Sequence, residues 1–484
     1  MRLILDGNIN KLYVQSLCMT FFRGEKFPEN EENPRGTLYL SLTEKENGVF
    51  ASCELVYDGK SAKTSDFYPY NITDTRERTR KCAIGRAVYF AGKELTKRDV
   101  PWGILTGIRP SKVAAELLSN YSYDEAKRIL KEKYLLSERK ANLTLEVAKN
   151  ETQIINSYDN NTCSLYISIP FCPTRCEYCS FISYATKKLF DLIPSYLKKL
   201  YLDIKEKCEI IKTLGLKLST VYIGGGTPTT LNEEQLKELL SNVSDVIDVK
   251  SLDEFTVECG RPDTITEEKL KILNEYGVKR VSVNPQTLND SVLEKIGRKH
   301  TVNDFYRAYS QVQDAKFEVV NTDLIAGLDG DSYESFKNTI DKIIELNPDN
   351  VTVHSFSVKK SAKIRENNLE IYNYEGDFAT ESVDYAYDSL IKNGYFPYYM
   401  YRQKNTVSDL ENVGYAKKNT FGTYNVLMMS DTHTVFSAGA GATTKLVKAF
   451  NGKVEINRIF SPKYPYEYLE DEKNQTEEII KFFK

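Results

Sequence analysis

The sequence predicts an α/β protein: a partial (β/α)6 barrel with a small strand-rich N-terminal domain and a helical linker before it, and a mixed C-terminal region after it. Three observations carry this. Between residues 161 and 360, six β-rich runs alternate with helical segments, the pattern of parallel strands joined by right-handed crossovers. Residues 1–100 contain short alternating runs that favour strands. Residues 101–160 switch to apolar spacings of three and four, which favour helices.

The N-terminal strands are expected at Thr37–Leu42 and Phe50–Tyr57. A turn-rich stretch runs from Pro101-Trp102-Gly103 to Arg109-Pro110, and helical spacing then links Val113, Leu117 and Leu118, Ala126, Ile129 and Leu130, and Leu143, Val147 and Ile154. The polar run Asn156–Thr162 reads as a connection. Barrel strands are expected at Leu165–Ile169, Thr220–Ile223, Glu254–Glu258, Val278–Val283, Phe317–Ile325 and Asn350–Phe356. Helices are expected over roughly 189–214 (with Pro194 as a break or start), 233–246, 267–276, 291–296, 302–315 and 333–346. Residues 361–484 carry mixed signals, including the aromatic Gly394–Tyr401 and the glycine-rich Ser437–Ala442, and are read as a substrate-covering or accessory region.

The 484 residues allow about three domains at ~150 residues each. Net charge is −3, from 65 basic and 68 acidic residues, so the basic excess of a nucleic-acid binder is absent. No secretory leader is read at Met1–Asp6, and no run approaches the ~20 apolar residues of a membrane helix, so a cytoplasmic protein is expected. In a reducing cytosol its nine cysteines are expected to be thiols. Cys18, Cys53, Cys82, Cys163, Cys208 and Cys259 are scattered and read as small buried hydrophobes.

The other three cysteines form Cys172-Pro173-Thr174-Arg175-Cys176-Glu177-Tyr178-Cys179, directly after the first barrel strand. Three thiolates without a nearby fourth Cys or His fit a [4Fe–4S] cluster with one iron left open; structural zinc is normally closed by four protein ligands. A second motif, Gly224-Gly225-Gly226-Thr227-Pro228, ends the next strand. There glycines permit close backbone approach, and exposed N–H groups can bind a carboxylate. Chemistry at the C-terminal strand ends is what such a barrel favours.

Together these motifs resemble the radical SAM superfamily, which implies a radical SAM barrel, a [4Fe–4S] cluster and S-adenosylmethionine (SAM) bound at its open iron. Tyr166–Cys172, Gly224–Thr229, Val257–Cys259, Ser282–Thr287, Ile296–His300 and Asp323–Leu328 narrow the resemblance to the oxygen-independent coproporphyrinogen III oxidase family. The N-terminal domain, Gly103–Ser111 and Met400–Asn405 resemble its longer branch, named for coproporphyrinogen dehydrogenase HemZ. The resemblance implies SAM contacts at Tyr166, Gly225, Gly226, Thr227 and Glu258, and contacts at Gln286, Arg298 and Asp323 with a second SAM or the space it occupies. Glu258 and Asp323 are expected at strand ends, and His300 and His354 as structural residues. It also implies a tetrapyrrole substrate and a reducing donor such as flavodoxin or ferredoxin. The expected reaction converts coproporphyrinogen III propionates to vinyl groups in haem biosynthesis. The alternatives are a cluster-containing haem chaperone and a radical enzyme for another tetrapyrrole. Arg261, Arg280 and Arg402 are candidate propionate clamps. Two departures stand out: Phe181 occupies a position that is cysteine in the oxidases and phenylalanine in the haem chaperones, and Glu258-Cys259-Gly260-Arg261-Pro262 replaces the usual acidic or Asn-Pro continuation.

Overall fold

The computed structural model describes residues 1–28, 34–179, 185–357, 378–403, 406, 409–450, 453–473 and 475–484. Its contacts divide the chain into two compact units, with the main change between Lys149 and Asn150; of the later described residues, 401–403 count with the first unit and the others with the second.

The first unit holds a four-stranded sheet ordered β1 (Arg2–Asp6), β2 (Gly36–Lys45), β3 (Gly48–Tyr57), β4 (Lys60–Pro69). β1 lies parallel to β2, and the other pairs are antiparallel. Strand alternation buries Leu38, Leu40, Val49, Ala51, Cys53 and Leu55, and helix Arg76–Thr96 packs against β3 and β4. That helix and Lys11–Phe21 are structure that strand alternation does not register. The inner face of Arg76–Thr96 is built largely from small residues, Ala83, Gly85, Ala87 and Ala91 among them, so it lacks a strong apolar period. Its Gly92 faces Phe21, where a Cβ would stand 2.6 Å from the ring. Helices Pro110–Leu118, Tyr123–Glu132 and Glu138–Asn156 follow, in the stretch read as helical.

The second unit is built on an eleven-stranded sheet. Its centre is six parallel strands in sequential order: β5 (Thr162–Ile169), β6 (Lys217–Gly225), β7 (Glu254–Glu258), β8 (Arg280–Ser282), β9 (Val319–Ala326) and β10 (Asn350–Ser355). The intervening helices fall where periodicity puts them, with Glu233–Val246, Val302–Ala315 and Tyr333–Leu346 capped by Asn232, Thr301 and Ser332. Pro194 lies in the first turn of helix Ile193–Thr213 and therefore starts it. The barrel is partial: β5 and β10 are not neighbours, and C-terminal strands occupy both edges. β11 (Phe396–Arg402) and β12 (Glu411–Ala416) extend the β10 edge, with β12 antiparallel. β13 (Thr434–Ala438) runs parallel to β5, and β14 (Thr443–Phe450) and β15 (Lys453–Phe460) add a hairpin beyond it.

Of the region read as covering substrate, residues 417–429 sit at the N-terminal ends of the parallel strands, opposite the cysteine loop. Asn350 and Arg280, first in β10 and β8, both donate to Thr420 O at 2.7 Å. Glu254, first in β7, accepts from the backbone N–H of Thr423 at 2.8 Å.

Candidate active site

The cysteine loop and the glycine loop are stitched together through their backbones. After β5 the chain runs through Phe171 to Cys179. Gly226 N donates to Ile169 O (2.7 Å) and Thr227 N to Phe171 O (2.8 Å). A Cβ on Gly226 would stand 2.5 Å from Phe171 O, so only glycine fits, and Gly225 adopts φ +110°. Cys172 Sγ and Thr227 Oγ1 are 3.3 Å apart. Cys172 and Cys176 are buried and Cys179 is partly exposed.

Two arginines hold this loop from below. Arg261 Nη1 donates to Thr174 Oγ1 (3.0 Å) and lies 3.6 Å from Cys176 Sγ. Arg298 reaches Tyr178 Oη through Nε (3.2 Å), and Asn284 O (2.6 Å) and Gly260 O (3.3 Å) through Nη1. Its guanidinium therefore ties the cysteine loop to the turns after β7 and β8. His300 is buried nearby. Burial first, and then the positive charge of Arg298, pushes it down to about 3, so it is neutral near pH 7.

Glu258 ends β7 beside the glycine loop, where a Cβ on Gly224 would come within 3.0 Å of its carboxylate. Tyr222 Oη donates to Glu258 Oε1 at 2.5 Å. Burial pushes the carboxyl up to about 7; the charge of Asp323 adds to this, while the Tyr222 hydroxyl and Gly225 backbone oppose it. Asp323 lies inside β9, not at its end, because pairing with β10 continues to Ala326. It accepts from Asn284 Nδ2 and Asn321 Nδ2, each at 2.8 Å. Gln286 adopts φ +68°. Its backbone N–H donates to Asp323 O (3.1 Å) and its carbonyl accepts from Ile325 N (2.9 Å). The Gln286 Oε1 atom is buried without a protein hydrogen-bond partner, leaving an acceptor for a ligand or water. Tyr166, Tyr222 and Tyr424 stack, with Tyr222 and Tyr424 centroids 4.5 Å apart and Tyr166 6.1 and 6.3 Å from them.

The structure thus gathers Cys172, Cys176, Gly225, Gly226, Thr227 and Glu258 at one end of the sheet. Asp323, Asn284 and Arg298 form a linked chain, which Gln286 joins through its backbone. Arg280, at the start of β8, is 3.6 Å from Glu254 at the opposite end. Arg402 belongs to the first unit, where it stacks on Trp102 and donates to Leu105 O. Tyr222 and Tyr424 escaped the sequence reading. Tyr222 had a signal, standing opposite Tyr166 in parallel register and two residues before the glycines; Tyr424 had none.

Residues 166–343 match the model of the Radical SAM superfamily. The oxygen-independent coproporphyrinogen-III oxidase-like protein HemZ of Bacillus subtilis is 32% identical over 477 residues, covering 97% of this chain and 95% of its own. The chain belongs to this family of radical SAM proteins. The heme chaperone HemW of Bacillus subtilis is 39% identical over 197 residues, 40% of this chain and 51% of that one. Among solved structures, coproporphyrinogen III oxidase HemN from Escherichia coli, a radical SAM enzyme, aligns with a TM-score of 0.49 and 21% identity over 63% of this chain and 67% of that one.

Radical SAM proteins use a [4Fe–4S] cluster and SAM. The residues present fit both. Thiolates are the usual cluster ligands, and here hydroxyl and guanidinium groups lie within hydrogen-bond reach of two of the sulfurs. Among the described residues no three His, Cys, Asp or Glu side chains are gathered round a single ion position, so the fit rests on donor chemistry. Phe181 lies outside the described residues. No described helix is long and apolar enough to cross a membrane.

Proposed function

We propose that this protein is an oxygen-independent coproporphyrinogen dehydrogenase that converts propionates of coproporphyrinogen III to vinyl groups in the cytoplasm, with one or two SAM molecules and electrons from a flavodoxin- or ferredoxin-type donor. The observation that carries the chemistry is the stitching of the glycine loop to the cysteine loop, with Thr227 Oγ1 3.3 Å from Cys172 Sγ. It supports placing SAM beside cluster thiolates.

When bound, the cluster and SAM supply one-electron cleavage and a carbon radical that takes a hydrogen atom from substrate. Cys172, Cys176 and Cys179 would hold the cluster. Gly225, Gly226 and Thr227 would form a side-chain-poor wall against SAM's methionine part, their shape fixed by the Gly226 and Thr227 backbone bonds to Ile169 O and Phe171 O. Glu258 would accept the ribose hydroxyls, and the Tyr166–Tyr222–Tyr424 stack would exclude water beneath them. Gln286, Arg298 and Asp323 would line the space for a second SAM; the internal hydrogen bonds of Arg298 favour a supporting role. On the substrate, loss of a β-hydrogen atom from a propionate, then of carbon dioxide and one electron, leaves a vinyl group. Support for this substrate is the likeness to the HemZ oxidase-like protein along 97% of the chain.

A second reading, a cluster-containing haem chaperone, is favoured by Phe181 and by the 39% identity to HemW. The test is anaerobic incubation of reconstituted protein with reductant, SAM and coproporphyrinogen, read by product mass. Loss of 46 Da per propionate (about one CO2 and two hydrogens) supports decarboxylation. SAM cleavage without vinyl product removes the substrate claim, and stoichiometric haem binding without SAM turnover favours the chaperone.

A further inference from the structure

Arg261 stands in the segment where this sequence departs from the family's usual continuation. In the fold it turns back toward the cysteine loop. The residue is buried, 3% exposed, and its three nitrogens face two ways. Nε and Nη2 donate to the two oxygens of Asp263, each at 2.9 Å, a bidentate pair. Nη1 points away from that carboxylate, to Thr174 Oγ1 at 3.0 Å and Cys176 Sγ at 3.6 Å. The ion pair is therefore a fixed dipole with its positive end at the sulfur. Pro262 follows directly, and Thr264 N donates to Arg261 O at 3.0 Å, so the backbone turn that aims the side chain is itself fixed.

We infer that Arg261 tunes the reduction potential of the cluster held by Cys176, and that Asp263 sets how strongly it does so. This rests on the cluster reading proposed above. Hydrogen bonds to cluster sulfurs, local net charge and solvent exposure set Fe–S potentials. Reduction adds one negative charge to the cluster. A guanidinium N–H directed at a thiolate stabilises that charge and raises the potential, while a carboxylate behind it weakens the effect. Arg261 is a positioning residue: it touches a ligand of the cluster, not the substrate. A purely structural latch through Thr174 would hold the loop equally well but give no charge-dependent signature.

The pair makes opposite-sign predictions. Arg261→Gln keeps a donor but removes the cation and leaves Asp263 behind, so the potential falls. Asp263→Asn leaves the cation and an acceptor for it, so the potential rises. An effect of tenfold in the reduced-to-oxidised ratio at fixed poise corresponds to ~59 mV for one electron.

The measurement is anaerobic redox titration of reconstituted parent and variant proteins without SAM, followed by the EPR signal of the reduced cluster, with iron and sulfide counted for each. Parent protein that takes up no cluster overturns the cluster reading itself. Cluster-loaded Arg261→Gln with an unchanged or raised potential overturns the tuning role alone. Should Arg261→Gln fail to retain iron, Asp263→Asn decides: a rise supports the inference, and no shift or a fall overturns it.

Discussion

Removing a single oxygen, in Tyr222→Phe, is expected to weaken SAM binding in a pH-dependent way. Phenylalanine preserves the ring that stacks on Tyr424 and Tyr166 but deletes the 2.5 Å hydrogen bond to Glu258 Oε1. Burial already holds that carboxyl at about 7, and the Tyr222 hydroxyl is one of the groups keeping it from rising further. A hydrogen bond to a charged group contributes about 1.5–3 kcal/mol, which is roughly one to two units of pKa. The ionised fraction of Glu258 at pH 7 then falls from about a half to between a tenth and a hundredth. If ribose hydroxyls bind the carboxylate form, apparent SAM affinity drops roughly 5- to 50-fold at pH 7, and the deficit shrinks to about twofold or less by pH 9. Anaerobic calorimetric titration of reconstituted parent and variant across pH 6.5–9 measures this. A deficit that does not change with pH would refute the reasoning, since it would place the tyrosine's contribution in packing and not in the charge of Glu258.

Glu258→Gln is expected to stabilise the SAM-free protein at neutral and alkaline pH. The folded pKa of Glu258, about 7, lies above its ordinary 4.5, so the stabilisation of its neutral form is present below pH 4.5 and is lost as pH rises through 7. Glutamine never ionises, so the variant's thermal midpoint should match the parent's at pH 4.5 and exceed it at pH 8, by an amount equivalent to about 1–3 kcal/mol. Gly226→Ala places a methyl group 2.5 Å from Phe171 O. The cysteine loop must move, costing about 1–3 kcal/mol, and iron uptake on reconstitution should fall. Cys176→Ala removes a cluster thiolate and should abolish the visible iron–sulfur absorption.

What the sequence revealed follows physical range. The six barrel strands and their helices depend on apolar periodicity within each segment, and the cysteine and glycine loops are each contiguous. All of these are local and were legible. Asp323 was placed at a strand end because the strand signal faded at Ile325, whereas pairing with β10 carries β9 on to Ala326. Arg261 was legible as a departure but not as a neighbour of Cys176, since the residues are 85 apart and meet only through the turn after β7. Tyr424 is 202 residues from Tyr222 and no periodicity links them. Helix Arg76–Thr96 was hidden by its small-residue face, and β13 was indistinguishable from turn because the glycines after it dominate the segment.

Those C-terminal residues change how the barrel works as a scaffold. Glu254 and Arg280 form a buried pair at the strand starts, and buried charges are tolerated only when their remaining hydrogen-bonding capacity is filled. The 417–429 segment supplies part of it: Thr423 N and Tyr424 N donate to the Glu254 carboxylate, and Thr420 O accepts from Arg280 Nη2, while Arg280 Nε has only its ion pair with Glu254. Anchoring the start of helix Thr423–Met429 in this way carries the Tyr424 ring to the stack with Tyr222, whose hydroxyl in turn holds Glu258. A continuous set of contacts therefore runs from the strand starts to the carboxyl beside the glycine loop. At the other end, Gly439 approaches so closely that a Cβ would stand 2.7 Å from Ser168 O, and Ser168 Oγ donates to Ala440 O at 2.8 Å. The turn after β13 is thereby fixed to β5 four residues before Cys172. Residues 417–440 thus position both the floor of the candidate SAM site and the strand that delivers its cysteines.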